Sequence, residues 1–333
     1  MLQTFCKKFQ QNRRAYWSLR IFSIIFFLTL FAEFLANDKP LLIYFQSKLY
    51  FPAIINYSEN TFGGTLKTEA DYRDPSVAKL INKNGWMLFP PIKFSYNTIN
   101  YSIASPAPSK PTWQNLLGTD DNGRDVLARL IYGIRISLIF GLTLTLFSAS
   151  LAIFLGAIQG YFGGLLDLLL QRFTEIWGSM PLLFLLIILS TIIEPSFATL
   201  LILLMLFSWM SLAALVRAEF LRLRNFDFVR SSIAMGASNW RIIFRHILPN
   251  ALPIIIANLP FLLSGSIVTV TSLDFLGLGL PIDSPSLGEL LSQGKNNINA
   301  YWLGITGFFA VTLILSLLVF IGEGLRDGID SKK

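Results

Sequence analysis

The sequence has few charged residues, one cysteine and one histidine. Only 14% of its 333 residues are charged, against 53% in the hydrophobic set, whereas soluble domains carry roughly 25% charged residues. So few charges could not cover a water-exposed surface, and the same composition excludes a disordered or low-complexity chain. The single cysteine, Cys6, excludes an internal disulfide, and the single histidine, His246, excludes a zinc site built from His and Cys. The composition therefore indicates a membrane protein.

The chain instead contains long stretches without Asp, Glu, Lys or Arg. They cover residues 136–166, 176–193, 195–216, 247–273 and 296–322. A helix that spans a bilayer needs about 20 mainly apolar residues, so each stretch predicts one membrane span.

An earlier span is predicted over residues 21–36. Arg20 can reach one interface and Glu33 the other. A cleaved signal peptide is the alternative, because the segment has a basic start and a small residue at Ala36; the long basic start and Glu33 count against it. With this span the predicted total is six.

Lysine and arginine are concentrated in three segments, residues 7–20, 217–245 and 326–333. In a six-span chain all three lie on one side, which the positive-inside rule identifies as cytoplasmic. We therefore expect cytoplasmic N- and C-termini, in a protein whose environment is the lipid bilayer. This topology accounts for the net charge of +7. Nucleic acid is not an expected partner, because its recognition needs an exposed basic domain with aromatic platforms.

Residues 37–115 form the main polar segment, which we expect outside. It ends in the proline-rich stretch 105–111, predicted to be a stiff linker. Its many aromatic residues and short apolar runs such as Leu41–Phe45 predict a few strands. The aromatic residues form either the core of a small domain or a docking surface for an external partner, and the sequence leaves both open.

A turn and a short amphipathic helix are predicted over residues 116–133. The turn is indicated by residues that favour turns, namely Thr119, Asp120, Asn122 and Gly123. The polar face of the helix carries Arg124, Asp125 and Arg129, with Asp125 and Arg129 spaced as an i, i+4 ion pair. We expect this helix to lie at the outer surface before the second span, although an ordinary elbow explains the pattern equally well.

The segment 217–249 predicts a helix, a turn, a second helix and a stop. Gly236 suits a left-handed residue that ends the first helix, and Ser238 can cap the second. Pro249 is expected to end the unit and begin the next span. The first helix carries an apolar face made of Phe226, Val229, Ile233 and Ala234. Apolar residues and arginines on a short helix suit a groove on another protein.

At these residues the chain resembles permease subunits of binding-protein-dependent ABC importers. The unit from Gly236 to Leu248-Pro249 is similar to their EAA loop. The segment 118–125 is similar to a signature ahead of the permease core in the oligopeptide and dipeptide branch, and segments 245–250 and 272–279 also resemble that branch. The insert is most similar to that of inner-membrane permeases of microcin C and oligopeptide importers. Where the family has Glu-Ala-Ala, this chain has Arg230, Ser231 and Ser232.

The resemblance implies an all-α polytopic membrane protein with six transmembrane helices, a type I ABC importer permease core and a small extracytoplasmic insert. Its expected parts are a cytoplasmic N-terminus with the first span (1–36), a periplasmic insert (37–115), the core (116–325, with the coupling loop at 217–249) and a cytoplasmic tail (326–333). The ATPase-coupling residues would be Phe226, Asp227, Arg230, Ala234, Gly236, Ala237, Ser238, Leu248 and Pro249. The periplasmic elbow would consist of Gly118, Thr119, Asp120, Gly123, Arg124 and Asp125.

The resemblance further implies peptide import across the bacterial inner membrane, with no catalysis by this chain. The expected partners are a second permease subunit in a heterodimer, two cytoplasmic ATPase subunits or one fused ATPase, and a periplasmic peptide-binding protein. ATP and Mg would bind to the partner ATPases, so no cofactor, metal or catalytic residue is expected here. The substrate residues are not identified by the sequence.

Other patterns are weaker. Residues 288–295 have the wrong glycine spacing for a phosphate loop, and Asn296 replaces the Ser or Thr. His246 is expected to flank the helix stop, because no nucleophile is paired with it. An ion-coupled secondary transporter is the main alternative, but the later spans lack its intramembrane charges. A membrane enzyme would need His, Cys or carboxylate clusters within the spans.

Overall fold

The computed structural model describes residues 9–103, 105–281 and 283–330. The chain divides into two compact units. The core unit comprises Met1–Ser23, Ser137–Ile282 and Thr312–Lys333, and the insert unit comprises Ile24–Ile136 and Asp283–Val311. Each unit joins segments that are far apart along the chain, so each depends on non-local packing.

The described chain is mainly helical, with one small sheet. Its helices are α1 (Arg13–Leu30), α2 (Ala32–Leu35), α3 (Pro75–Asn84), α4 (Val126–Phe162), α5 (Gly164–Gly178), α6 (Leu182–Ser190), α7 (Phe197–Ser208), α8 (Met210–Leu223), α9 (Asp227–Ala234), α10 (Asn239–Phe275), α11 (Leu287–Asn296) and α12 (Tyr301–Asp330). Its strands are β1 (Leu42–Phe45), β2 (Lys48–Tyr50) and β3 (Gly85–Leu88). The strands all lie in the insert unit.

Four of the described helical stretches are long and apolar enough to cross a membrane, namely α4, α7 with α8 (Phe197–Leu223), α10 and most of α12 (Tyr301–Gly328). The α5–α6 pair passes the same test, but it is bent by 62° and is either a broken span or a re-entrant loop. α1 carries three arginines and is not among the four. The fold is therefore helical and polytopic, and the count of six spans stays a prediction.

The helices extend beyond the uncharged stretches that predict them. α4 begins at Val126, ahead of the stretch 136–166, and includes Arg129. α10 begins at Asn239, ahead of the stretch 247–273, and includes Arg241. Charged residues therefore mark where a helix leaves the apolar layer and not where the helix ends.

Two glycines bring α4 close to α8 in the core unit. A Cβ atom at Gly156 would lie 2.6 Å from the main-chain oxygen of Ala213, and one at Gly160 would lie 2.5 Å from the Cβ atom of Phe220. Their spacing of four residues places both glycines on one face of α4, as in the small-residue motif of membrane helix pairs. Phe220 is fully buried at this contact. The close packing holds the helix from which the 217–249 loop emerges.

The sheet of the insert unit is antiparallel, in the order β2-β1-β3. Gln46 and Ser47 both have positive φ angles (47° and 62°), as the tight turn of a two-residue hairpin requires. α3 packs on the sheet and is capped by Asp74, whose Oδ1 atom accepts a hydrogen bond of 2.7 Å from the Ser76 amide. An acceptor at this position satisfies an amide that the helix itself leaves free.

Aromatic side chains fill the core of the insert unit. The Phe62 ring is 1% exposed and meets Phe45, Tyr50 and Tyr72 edge-on, with centroids 5.7, 5.3 and 5.8 Å away, which is a favoured geometry for aromatic pairs. The strands and the aromatic core agree with the prediction of a small domain. Other aromatic residues, such as Trp86, remain exposed.

Candidate functional site

The first helix of the predicted coupling loop, α9, ends at Ala234, and Gly236 turns the chain two residues later, as the sequence predicts. Gly236 has φ +76°, which only glycine adopts without strain. The Gly236 amide donates to the carbonyl of Ile233 at 2.9 Å, and the Ala237 amide donates to that of Ser232 at 3.1 Å. These bonds satisfy carbonyls that the end of α9 would otherwise leave free. The turn is therefore fixed by the backbone itself.

The prediction for Pro249 is partly right. The regular α-helical segment begins at Leu248, with Pro249 in its first turn, but no stop precedes it, because α10 is one helix from Asn239 to Phe275. Proline lacks an amide hydrogen and normally interrupts a helix. Here the residues Ile242–Ile247 form a π-helical segment, which changes the hydrogen-bond register just before the proline. The Asn250 side chain also donates to the carbonyl of His246 at 2.7 Å. The second helix of the loop is thereby continuous with the predicted fifth span.

The apolar residues of the loop divide into a buried set and an exposed set. Val229, Ile243 and Ile247 are at most 1% exposed and belong to the main core cluster. The other set forms a surface that we call the apolar loop surface, made of Phe226, Phe228, Ile233, Met235, Trp240 and Phe244, which are 37–79% exposed. The apolar face predicted for the first helix is therefore divided, because Val229 is buried while Phe226 and Ile233 are exposed. The buried residues anchor the loop and leave the others uncovered within this chain.

The remaining predicted coupling residues lie along the same loop. Asp227 is the first residue of α9, where a negative charge suits the helix dipole. Arg230 and Ala234 are exposed. Ser238 precedes α10 in an extended conformation, without the predicted side-chain cap. Leu248 packs against the core cluster.

Polar contacts that the sequence did not reveal support the loop within the core unit. Arg217 makes a bidentate ion pair with Asp167, with N–O distances of 2.5 and 2.6 Å. Arg224 donates to the carbonyl of Tyr161 at 3.3 Å, and the Tyr161 hydroxyl group lies 2.9 Å from Oδ1 of Asn239. The sequence presents these arginines only as topology signals, because their partners are distant along the chain.

The predicted elbow contains a buried network of four charged side chains, which we call the charge network. Asp120 and Arg129 have no exposed surface, Arg124 is 5% exposed, and Glu289 is partly buried. Arg124 binds Asp120 at 2.7 Å and Glu289 at 3.1 Å, while Arg129 lies 3.4 Å from Asp120 and also binds Glu289. Among these four side chains two positive and two negative charges balance, and Arg124 also lies 3.7 Å from the exposed carboxylate of Asp283. The charge network joins the elbow to α11 within the insert unit.

This arrangement corrects the predicted amphipathic surface helix. Arg124, Asp125 and Arg129 are buried, and the helix that contains Arg129 is the first part of α4. Asp125 does not pair with Arg129 among the described contacts; it accepts hydrogen bonds of 2.7 Å from the Asn115 side chain and the Ala128 amide. The i, i+4 spacing predicted the wrong partner for Arg129, because its carboxylate partner Glu289 is 160 residues away in the sequence.

The other elbow residues shape the turn before α4. Gly118 and Gly123 have positive φ angles of 75° and 79°. Thr119 is fully buried, and its hydroxyl oxygen accepts a bond of 2.8 Å from the Ser109 amide.

Burial raises the pKa of the Asp125 and Glu289 carboxyl groups above their usual values, because it disfavours the charged form.

Other candidate chemistry is limited in the part of the chain that the structure describes. Residues 288–295 lie within α11, so they form a helix and not a phosphate-binding loop. Among the described residues, no group of three or more His, Cys, Asp or Glu side chains could hold a metal ion.

Comparisons with known proteins agree with this architecture. A family model described as "Binding-protein-dependent transport system inner membrane component" matches residues 152–333. The chain is 55% identical to the inner membrane ABC transporter permease protein YejE of Escherichia coli (strain K12) over 326 residues, which cover 98% of this chain and 96% of that protein. It is 51% identical to the peptidoglycan transport system permease protein YejE of Agrobacterium fabrum over 351 residues, covering 98% and 92%.

A more distant relative is the oligopeptide transport system permease protein OppC of Haemophilus influenzae, 37% identical over 240 residues, which cover 72% of this chain and 77% of that protein. A solved structure of the MetNI methionine ABC transporter, in an inward-facing conformation, has a TM-score of 0.52 and 17% identity. The structural match covers 61% of this chain and 97% of the chain of known structure. At 17% identity this likeness shows the fold alone. The alternative of an ion-coupled secondary transporter finds no support in these relatives. This multi-pass chain belongs to the family of binding-protein-dependent transport system inner membrane components.

Proposed function

We propose that this chain is one permease subunit of an ATP-driven ABC importer that carries peptides across the bacterial inner membrane. The peptide class is supported by relatives described as oligopeptide, dipeptide and peptidoglycan transport permeases. The match to the first relatives extends over 98% of this chain, including the insert. The apolar loop surface beside Gly236 is the observation that carries the proposal, because it gives ATP-driven motion a place of contact.

The proposed topology has six spans, with both termini in the cytoplasm. α1 supplies the first span and the bent α5–α6 pair the third. The arginines at 217–245 and near both ends of the chain support this orientation. The apolar loop surface then faces the cytoplasm and the insert lies on the opposite side.

The apolar loop surface is proposed to bind a cytoplasmic ATPase subunit. It presents six large apolar side chains on α9, on the residues that flank this helix and on the start of α10. A groove that receives such a helix takes its energy from a few buried apolar anchors. ATP binding would close the pair of ATPases, and the loop would transmit this closure as rigid-body motion.

The complete importer is proposed to contain four kinds of part. These are this chain, a second permease in a heterodimer, two cytoplasmic ATPase subunits or one fused ATPase, and a periplasmic peptide-binding protein. ATP and Mg bind to the ATPases, and this chain hydrolyses nothing. The charge network keeps the elbow in place before α4.

The experiment is reconstitution of the complex in proteoliposomes, with import of a casein peptide mixture read by mass spectrometry. We expect import to require ATP, the ATPase subunits and the binding protein. Import that continues without ATPase subunits, driven by an ion gradient alone, would refute the proposal.

A second measurement tests the loop. Met235→Asp places a charge on the apolar loop surface, and we expect about tenfold less ATPase to co-purify, as for the loss of one interface anchor. Leu66→Asp is the matched control, because Leu66 is an exposed leucine of the insert unit. Equal ATPase recovery from both variants would remove the loop from the ATPase interface.

A further inference from the structure

A groove with both polar and apolar lining lies in the core unit, beside the end of α7, α8 and α10. It has a volume of about 410 Å³. Its polar lining consists of Ser208, Ser211, Asn258, Ser266 and Thr269, and the rest of the lining consists of Gly265, Leu212, Leu215, Phe261 and Leu262. No charged side chain lines it. Single serine and threonine residues are common in membrane helices, but polar side chains grouped in the membrane usually face the interior of a helix bundle or a water-filled cavity, so this grouping requires an explanation.

The lining positions of α10 occupy one face of the helix. From Asn258 to Thr269 they recur at intervals of three and four residues, which is the repeat of a helix face. The opposite face, with Ile256, Leu259 and Leu263, lines a separate groove of about 390 Å³ whose walls are almost entirely apolar. α10 therefore presents Asn258, Ser266 and Thr269 on the groove side, together with Phe261 and Leu262, although its sequence there has no charge.

The polar side chains of the groove present acceptor atoms. The hydroxyl groups of Ser208, Ser266 and Thr269 donate to carbonyls of their own helices at 2.6, 3.0 and 2.9 Å. The Asn258 side-chain amide donates likewise to the carbonyl of Ile254 at 2.7 Å. These three hydroxyl donors and one Asn258 N–H are thus used within their own helices, while the oxygen lone pairs remain able to accept hydrogen bonds.

We propose that this groove holds the main chain of the peptide during translocation; the proposal rests on the peptide-import function proposed above. A row of uncharged acceptors suits the amide N–H groups that every peptide carries, whatever its side chains. The row from Asn258 to Thr269 is about 16 Å long, because a helix rises about 1.5 Å per residue. About five residues of an extended peptide cover that length.

At Gly265 the groove reaches the backbone of α10, because glycine has no side chain. A Cβ atom added there would have no atom within 4 Å, so a side chain at this position enters the groove without a clash. The substitution therefore tests the groove without disturbing the packing of α10.

The first experiment measures solvent access in membrane vesicles that contain the whole importer. Cys6 is the only cysteine of the chain, so Cys6→Ser provides the background for Gly265→Cys and, as control, Ile256→Cys on the opposite face. A membrane-impermeant maleimide is applied from each side of the membrane, with and without ATP. It should modify the Gly265→Cys variant at least about tenfold faster than the Ile256→Cys variant, because the apolar surroundings of residue 256 raise the pKa of a thiol there. Adding ATP should change the side of the membrane from which the maleimide modifies the Gly265→Cys variant. Equal rates for the two variants in every state would mean that lipid or a partner helix fills the groove, and would overturn the proposal.

The second experiment measures import of the casein peptide mixture. Gly265→Leu should lower import about tenfold, the effect of losing one or two hydrogen bonds, while ATPase co-purification stays unchanged. Gly265→Ala should lower it less, and Ile256→Leu should not change it. Unchanged import by Gly265→Leu would overturn the groove assignment. If the unsubstituted complex imports no peptide, the peptide-import function fails, and the maleimide rates still decide whether the groove is a solvent path.

Discussion

Removing one charge from the charge network gives the sharpest test of how the insert unit is held together. Arg129→Met keeps most of the side-chain length and removes the guanidinium, which has no exposed surface and pairs with Asp120 and Glu289. Arg124 then remains alone with two carboxylates. An unpaired charge in a buried network costs about 3–5 kcal/mol, so we expect a loss of that size in the stability of the insert unit.

A second substitution should recover much of this loss. Glu289→Leu in the Arg129→Met chain removes the stranded carboxylate and restores neutrality, with Asp120 and Arg124 still paired at 2.7 Å. Replacing a buried ion pair by apolar residues of similar size is often neutral in stability. The double variant should therefore be more stable than the sum of the two single losses predicts, by about 2 kcal/mol.

The assay is pulse proteolysis of the detergent-solubilised complex in rising urea, read at cleavage sites within residues 37–115. Arg172→Met is the matched control, because Arg172 and Glu175 form an ion pair with both side chains more than half exposed. Such a pair contributes at most about 1 kcal/mol. If Arg129→Met costs no more than Arg172→Met, or if the double variant shows no recovery, the charge network does not hold the insert unit.

Three further predictions follow from single positions. Gly156→Val should greatly reduce the yield of folded protein, because its Cβ atom would lie 2.6 Å from a main-chain oxygen of α8; Gly265→Ala, which meets no atom within 4 Å, should leave yield unchanged in the same fluorescence-detected gel filtration. Gly236→Trp should strain the left-handed turn and separate ATP hydrolysis from import, while membrane insertion persists; normal import would contradict the coupling role. The Ser76 amide holds the pKa of Asp74 below its usual value, so the cap of α3 stabilises the insert unit at neutral pH and is lost as the pH falls through the lowered pKa. Asp74→Asn should flatten this acid dependence in hydrogen exchange of α3.

Local features of the sequence predicted the loop turn well. The conformation of Gly236 depends on residues within one helical turn, so the helix, the glycine and the following helix could be predicted from that segment alone. The uncharged stretches located the long helices for a similar reason, since apolar composition is a property of each segment. The helix ends could not be predicted in this way, because α4 and α10 continue through charged residues.

Features that join distant segments could not be predicted. The spacing of Asp125 and Arg129 indicated a solvent-facing pair, whereas the fold buries Arg129 against Glu289, far away in the chain. The helix of Pro249 continues because a π-helical segment precedes it, and no residue type signals such a segment. The polar face of α10 is made of residues that are common in any membrane helix, so only the groove beside it reveals its direction.

Because α10 is continuous, a tilt imposed at one of its ends displaces the residues farther along the helix. This 37-residue helix is about 55 Å long at 1.5 Å per residue, with Trp240 at one end and the groove residues farther along the same rod. Another wall of the groove, α8, ends at Leu223, within the loop for which we propose a coupling role. The loop thus connects two helices that both line the groove, α8 and α10. Each degree of tilt in α10 displaces its far end by about 1 Å. The groove residues lie about 27–44 Å along α10 from Trp240, so a tilt of about 6–10° is needed to displace them by about 4.7 Å, the spacing of two extended chains.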